Sequence, residues 1–160
     1  MFADFDSLEY PVDVRGLGEF PGRGTSHVYA IFCVVEGREI PIYIGRTTRL
    51  SERMGDYWSK NFAAPTDFRV GEAIVYLRDE KKLRILVRYK QCSQPARDEY
   101  VAIRNLQTSG TRLLNDLTSY RYKDADPTEE RGAVRSFCDI LIHPSSSFST
   151  RESSAGASGG

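Results

Sequence analysis

Glu99 is the side chain whose position most needs a chemical explanation. Ala102, Ile103 and Leu106 follow it at i+3, i+4 and i+7, so a helix over this stretch carries a carboxylate on its apolar, core-facing stripe. A lone buried carboxylate is costly unless it is paired, protonated or bound to a cation. It is therefore either an ion-pair partner, most simply of Arg53 or another interior arginine, or a ligand for a hard divalent ion. Such an ion keeps most of its waters and needs only one or two carboxylates. Arg53 and Tyr57 pose a similar choice. They lie at i and i+4 on a face shared with Leu50 and Met54. As packing residues, the arginine snorkels and the phenol fills a core edge. As chemistry, a guanidinium fork matches a phosphate that gains charge during displacement. Tyr29 and Tyr43 are, taken singly, ordinary strand tyrosines.

The elements that must position these groups are legible in outline. Gly16, Gly18, Pro21, Gly22 and Gly24 punctuate residues 1–26 too densely for a long element, so 1–27 reads as an irregular N-terminal arm. Residues 28–35 are apolar on both faces, as in a strand covered on two sides. Glu36-Gly37-Arg38-Glu39 reads as a turn and 40–46 as a second strand, with Pro41 confined to its start or an edge. Thr47 or Thr48 caps a helix over roughly 49–60. Residues 72–78 and 83–89 read as strands. Ser93-Gln94-Pro95 starts a helix to about 107 that stops near Gly110, and Asp126-Pro127-Thr128-Glu129 starts another over about 127–141. Residues 143–160 form a Ser/Gly-rich tail whose composition predicts disorder. One domain over 28–142 remains.

Composition sets broad limits. The chain has 160 residues, 22 basic and 22 acidic side chains and a formal net charge of zero, so any polyanion must meet a local basic patch. Cys33, Cys92 and Cys138 are odd in number and lack C-x-x-C spacing, which argues against a disulfide framework and a thiolate zinc site. No apolar run reaches membrane-spanning length, and the N-terminus shows no charged-then-apolar leader. The expectation is an intracellular protein, cytoplasmic or nucleoid-associated, with no membrane partner.

In combination the residues resemble the GIY-YIG nuclease superfamily. The first motif survives as Val28-Tyr29, with His27 where the family usually has glycine. The second, Tyr43-Ile44-Gly45, is intact and followed by Arg46-Thr47. Arg53 matches the arginine of the following helix, Tyr57 the position four residues later, Glu99 the metal-binding glutamate and Asn115 the late asparagine. The resemblance spans about 28–115, with six roles in the family's order. The fourteen-residue separation of the tyrosines exceeds the usual spacing, and the stretch before Glu99 is also extended.

The resemblance implies an α/β (α+β) fold, a small, mainly antiparallel sheet flanked by helices. It implies a metal-dependent endonuclease that hydrolyses DNA phosphodiester bonds by a one-metal mechanism. Glu99 would hold Mg²⁺, or Mn²⁺ in its place. Tyr29, helped by Tyr57, would position or deprotonate the attacking water, although a phenol with a free pKa near 10 needs a neighbouring cation for that. Tyr43 and Arg53 would hold phosphate oxygens, and Asn115 would orient the site. Arg46, Arg49 and Arg53 form the expected nucleic-acid patch; Arg84 and Arg88 read as a solvated strand face. A second reading keeps the fold as a non-catalytic nucleic-acid-binding or regulatory module. A purely structural reading leaves Glu99 unexplained.

One geometric condition follows. Tyr29 and Tyr43 share a site only if they share a face of the sheet. A two-residue turn at Gly37-Arg38 sets Tyr43 opposite Phe32, on the wrong face, whereas a three-residue loop sets it opposite Cys33. The expectation is an odd-length loop or a bulge within 36–40.

Overall fold

A computed structural model of the chain describes residues 1–118 and 126–143. Four antiparallel strands form one sheet in the order β1-β4-β2-β3: β1 (Asp6–Glu9), β2 (Arg23–Val35), β3 (Arg38–Arg49) and β4 (Arg84–Gln91). Helices α1 (Leu50–Ser59), α2 (Pro65–Val75) and α5 (Pro127–Ile142) contribute to the core on one face, and α3 (Pro95–Thr108) lies on the other. A short helix, α4 (Asn115–Thr118), follows α3. The expected α/β class, a small antiparallel sheet flanked by helices, is the observed one.

β2 is central because both its faces are apolar. Tyr29, Ile31 and Cys33 enter the larger core, while Val28, Ala30 and Phe32 pack with Ala102 of α3 and Leu113. The hairpin to β3 turns at Glu36-Gly37, both at positive φ (52° and 77°), with Val35 paired to Arg38. Positive φ at both central residues is the mirror-image turn that matches strand twist. A regular ladder from this turn would set Tyr43 opposite Ala30. Instead the register shifts between Ile31 and Phe32, so Phe32 pairs with Pro41 and Ile31 with Tyr43. The bulge expected within 36–40 thus lies at 41–43, and the loop has even length. The functional requirement is still met. Ile42 and Tyr43, though consecutive, both enter the larger core, and Tyr43 joins Tyr29 on one face.

Two further expectations fail. Residues 72–78 are helical: α2 begins at Pro65, in the first turn where a missing N–H costs nothing, and continues as a π-turn over Tyr76–Glu80. Residues 68–74 are all buried, Arg69 and Glu72 included, as in a helix enclosed on every side. Its charges are neutralised in place, Arg69 by Glu130 at 2.9 Å and Glu72 by Lys60 at 3.0 Å. The irregular arm expected over 1–27 supplies β1 and the start of β2, and Phe2 and Phe5 pack beside Phe32. Tyr10 is buried and donates to the Met54 carbonyl at 2.7 Å. Helix starts also differ in detail: β3 runs on through Arg49, and Thr47 accepts from the Arg49 amide rather than capping α1. Asp126 does cap α5, through the Thr128 amide. The tail from Pro144 onward lies outside the described residues. No helix among the described residues is long and apolar enough to cross a membrane.

Candidate active site

A cleft of about 360 Å³ opens where β3 runs into α1, lined by Tyr29, Tyr43, Arg46, Thr47, Thr48, Arg53, Pro95 and Glu99. Five residues singled out from sequence therefore line one hollow. β2 and β3 deliver the two tyrosines, whose rings lie 6.3 Å apart between centroids. Tyr29 crosses directly over its ladder partner Gly45. A Cβ at Gly45 would lie 2.9 Å from Tyr29 Cε1 and closer still to Cζ, so the glycine of Tyr43-Ile44-Gly45 is required by the phenol above it. α1 delivers Arg53 and Tyr57 at adjacent turns. Tyr57 stands behind the cleft, fully buried, with its hydroxyl 2.5 Å from that of Tyr29.

Arg53 is the best-secured cation of the site. Its Nη1 meets Asp67 Oδ1 at 2.5 Å and Asp56 Oδ2 at 3.3 Å, and its guanidinium lies 4.9 Å from the Tyr57 ring centre. Asp67 was not anticipated. It sits in the first turn of α2, a stretch for which the sequence suggested no element, and it joins Asp56 at the Arg53 head. Burial works against the Arg53 charge, but Tyr57, Tyr29 and Asp67 outweigh it and hold its pKa above the ordinary guanidinium range. Burial also pushes the phenols of Tyr29, Tyr43 and Tyr57 above the usual tyrosine value, against the opposing pull of Arg53. All three are neutral at physiological pH and act as hydrogen-bonding groups, so Tyr29 is a poor base without outside assistance.

Glu99 enters from the first turns of α3, with its side chain 26% exposed. Its partner is Arg46, at 3.5 Å, and not Arg53. Burial raises the Glu99 carboxyl pKa, and Arg46 only partly offsets this. The carboxylate is thus under-solvated and gains from any added cation. Among the described residues no group of three or more His, Cys, Asp or Glu side chains is arranged to hold a metal. The donors at the cleft are oxygens, from Glu99, the threonine hydroxyls and the phenols, with no imidazole or thiolate. That set fits a hard ion retaining most of its waters and excludes a closed zinc site.

Asn115 lies behind the cleft. Its Oδ1 accepts from the Ile44 amide at 2.9 Å and its Nδ2 donates to the Ile44 carbonyl at 2.7 Å. The Leu114 amide donates to the Ile42 carbonyl at 2.6 Å. Together they pair the outer edge of β3 as a further strand would, and they fix the backbone between Tyr43 and Gly45. Arg49 does not line the cleft; it pairs with Glu52 at 3.2 Å and Asp56 at 3.4 Å. Arg84 and Arg88 pair with Glu9 and Glu39, away from the site. Comparison of the chain with family models, curated proteins and solved structures gave no match in any of the three.

Proposed function

We propose that this protein is a GIY-YIG-type endonuclease that hydrolyses nucleic-acid phosphodiesters, DNA foremost, with one divalent metal ion. The observation that carries the reading is the convergence of Tyr29, Tyr43, Arg53 and Glu99 on one cleft. They come from four separate elements, and a bulge is required to bring Tyr43 to it. Glu99 is the residue to hold the ion, aided by its burial and the nearby hydroxyls. When bound there, Mg²⁺ or Mn²⁺ supplies Lewis-acid stabilisation of charge on the leaving oxygen.

The chain's own residues account for the rest. Arg53, clamped by Asp67 and Asp56, presents a fixed positive charge to non-bridging phosphate oxygens, which become more negative during in-line displacement. Tyr43, at the cleft wall, donates to the same phosphate. Tyr29 orients the attacking water with a neutral hydroxyl whose direction is set by Tyr57. Asn115 keeps the β3 backbone in register beneath both tyrosines. Arg46 neutralises Glu99 in the free protein, and would be free to face phosphate were the carboxylate to hold a cation.

The test is nicking of supercoiled plasmid with Mg²⁺ and with chelator, alongside duplex, flap, branched and single-stranded oligonucleotides. Expected are metal-dependent cleavage and its loss in Glu99→Gln. No cleavage of any of these with Mg²⁺ or Mn²⁺ would refute the enzymatic reading. Salt-dependent binding in that same experiment would favour a non-catalytic nucleic-acid module.

A further inference from the structure

The charges around the cleft are distributed unevenly between its two rims. Along α1 they form an alternating ribbon, Arg23–Glu52–Arg49–Asp56–Arg53–Asp67, in which every arginine already faces an acid. Beyond the one phosphate that Arg53 meets in the cleft, a polyanion gains little there. α3 presents the opposite situation. Arg97, Tyr100, Val101 and Arg104 lie at i, i+3, i+4 and i+7, so they share the face turned away from the sheet. Among the described residues neither Arg97 nor Arg104 has an acidic partner: Arg97 meets Gln94 Oε1 at 3.3 Å, and Arg104 meets the Tyr100 hydroxyl at 3.1 Å. Asp98, the acid nearest them on the helix, lines the hollow formed with the N-terminal residues, which Arg97 and Val101 also border, but among the described residues it is not paired with either arginine. Tyr100 is 60% exposed and Val101 44%, so two large apolar side chains stand on the outer face of the helix.

We propose that this face of α3 is the path taken by an unpaired nucleic-acid strand leaving the cleft, with a base stacked on Tyr100 and phosphates on Arg97 and Arg104. This rests on the nuclease reading for its occupant. Three features favour single-stranded over duplex nucleic acid. A duplex buries its base faces in its own stack, so only an unpaired base can cover an exposed phenol ring. An aromatic platform flanked by cations is the recurring means of holding single strands without sequence preference. The Tyr100 ring is also steadied by Arg104, so it presents a fixed face instead of a mobile one. Tyr100 directly follows Glu99 and lies about 100° further round α3, so a strand leaving the cleft has to curve over the helix to reach it. The preferred substrate class is therefore one with an unpaired segment beside the cut, such as a flap, an overhang or a single strand.

The experiment is binding of the full chain to fluorescein-labelled oligo(dT) and to a duplex of equal length, read by anisotropy in chelator across a salt series. Single strand should bind more tightly than duplex. Tyr100→Ala should weaken single-strand binding about tenfold, since one stacked base is at stake, and Tyr100→Phe should restore it. Arg97→Ala with Arg104→Ala should lower the salt slope by about 1.4, the value for two phosphates on a single strand. The variants lie on an exposed face, and unchanged thermal melting confirms that they fold. Equal affinity for duplex and single strand with no effect of Tyr100→Ala overturns the inference. If Tyr100→Ala leaves both binding and cleavage intact in an active enzyme, the α3 path fails while the nuclease reading stands. Single-strand binding that depends on Tyr100, without cleavage of any substrate, supports the path and refutes the nuclease.

Discussion

Gly45→Ala tests whether the site is built as described, independently of any activity. The added Cβ would lie 2.5 Å from Tyr29 Cζ and 2.9 Å from Cε1, inside the distance real methyl carbons keep. Tyr29 is 1% exposed, its hydroxyl is 2.5 Å from that of Tyr57, and Tyr43 lies alongside, so the ring has no free direction of retreat. Overpacking of this kind costs about 1–3 kcal/mol. Displacing the phenol also sacrifices a buried hydrogen bond worth about 1 kcal/mol. Removing a strand glycine returns roughly 0.5–1 kcal/mol. The net loss is about 1–3.5 kcal/mol, or roughly 2–14 °C in Tm for a chain of this size. Denaturant unfolding at constant slope measures it. The decisive comparison is a double-mutant cycle with Tyr29→Leu, which removes the obstructing ring atoms. On that background Gly45→Ala should cost under about 0.5 kcal/mol, leaving a coupling near 2 kcal/mol. Additive costs would show that Gly45 is required for some reason other than the phenol.

Asp67→Asn should lower stability by about 1–2 kcal/mol, because Arg53 keeps Asp56 and some solvent contact. It should also slow cleavage about 10- to 100-fold through loss of Arg53 alignment, and an unchanged rate would remove Asp67 from the site. Glu99→Gln should be neutral or stabilising at pH 7. Burial raises the folded carboxyl pKa above its unfolded value, so the folded state holds the proton more tightly and stability falls as pH rises through that interval. The mutant's advantage should therefore shrink as pH falls into the carboxylate range, which Tm against pH will show; an advantage that grows on acidification would contradict the assignment. Asn115→Ala should cost about 1–3 kcal/mol and accelerate hydrogen exchange at the Ile44 amide, whose partner it removes. Slow exchange in that variant would mean that β3 is held by other contacts.

Much of the site was legible because its residues carry chemistry at fixed local spacings. Arg53 and Tyr57 at one helical turn, and Glu99 on an apolar stripe, are statements about periodicity, and periodicity survives folding. What escaped depended on long-range placement. Glu99 pairs with Arg46 of β3 and not with Arg53, a choice set by how α3 crosses the sheet. Asp67 escaped because a short apolar stretch does not distinguish a buried helix from a buried strand; with residues 72–78 read as strand, the helix that begins at Pro65 and carries Asp67 went unseen. β1 escaped because Asp6-Ser7-Leu8-Glu9 holds a single apolar residue and becomes a strand only when β4 offers it a ladder. The need for a bulge was deducible from the two tyrosines; its position was not, because Glu36 adopting positive φ moved the turn back by one residue.

The bulge at 41–43 gives the hairpin an arithmetic that bears on how such chains diverge. Counting from the tight turn at Glu36-Gly37, a regular ladder would place residues on Tyr29's face at odd separations from it, while the one extra residue makes the separation of fourteen correct. Insertion or deletion of a single residue between the two tyrosines would turn Tyr43 toward α3 and empty the cleft, unless the bulge were lost or a second gained. Changes of two residues at the turn would lengthen the hairpin and leave the cleft as it is. Length variation here is thus quantised in pairs, and a relative with an odd tyrosine separation and the same two-residue turn should have an unbulged β3.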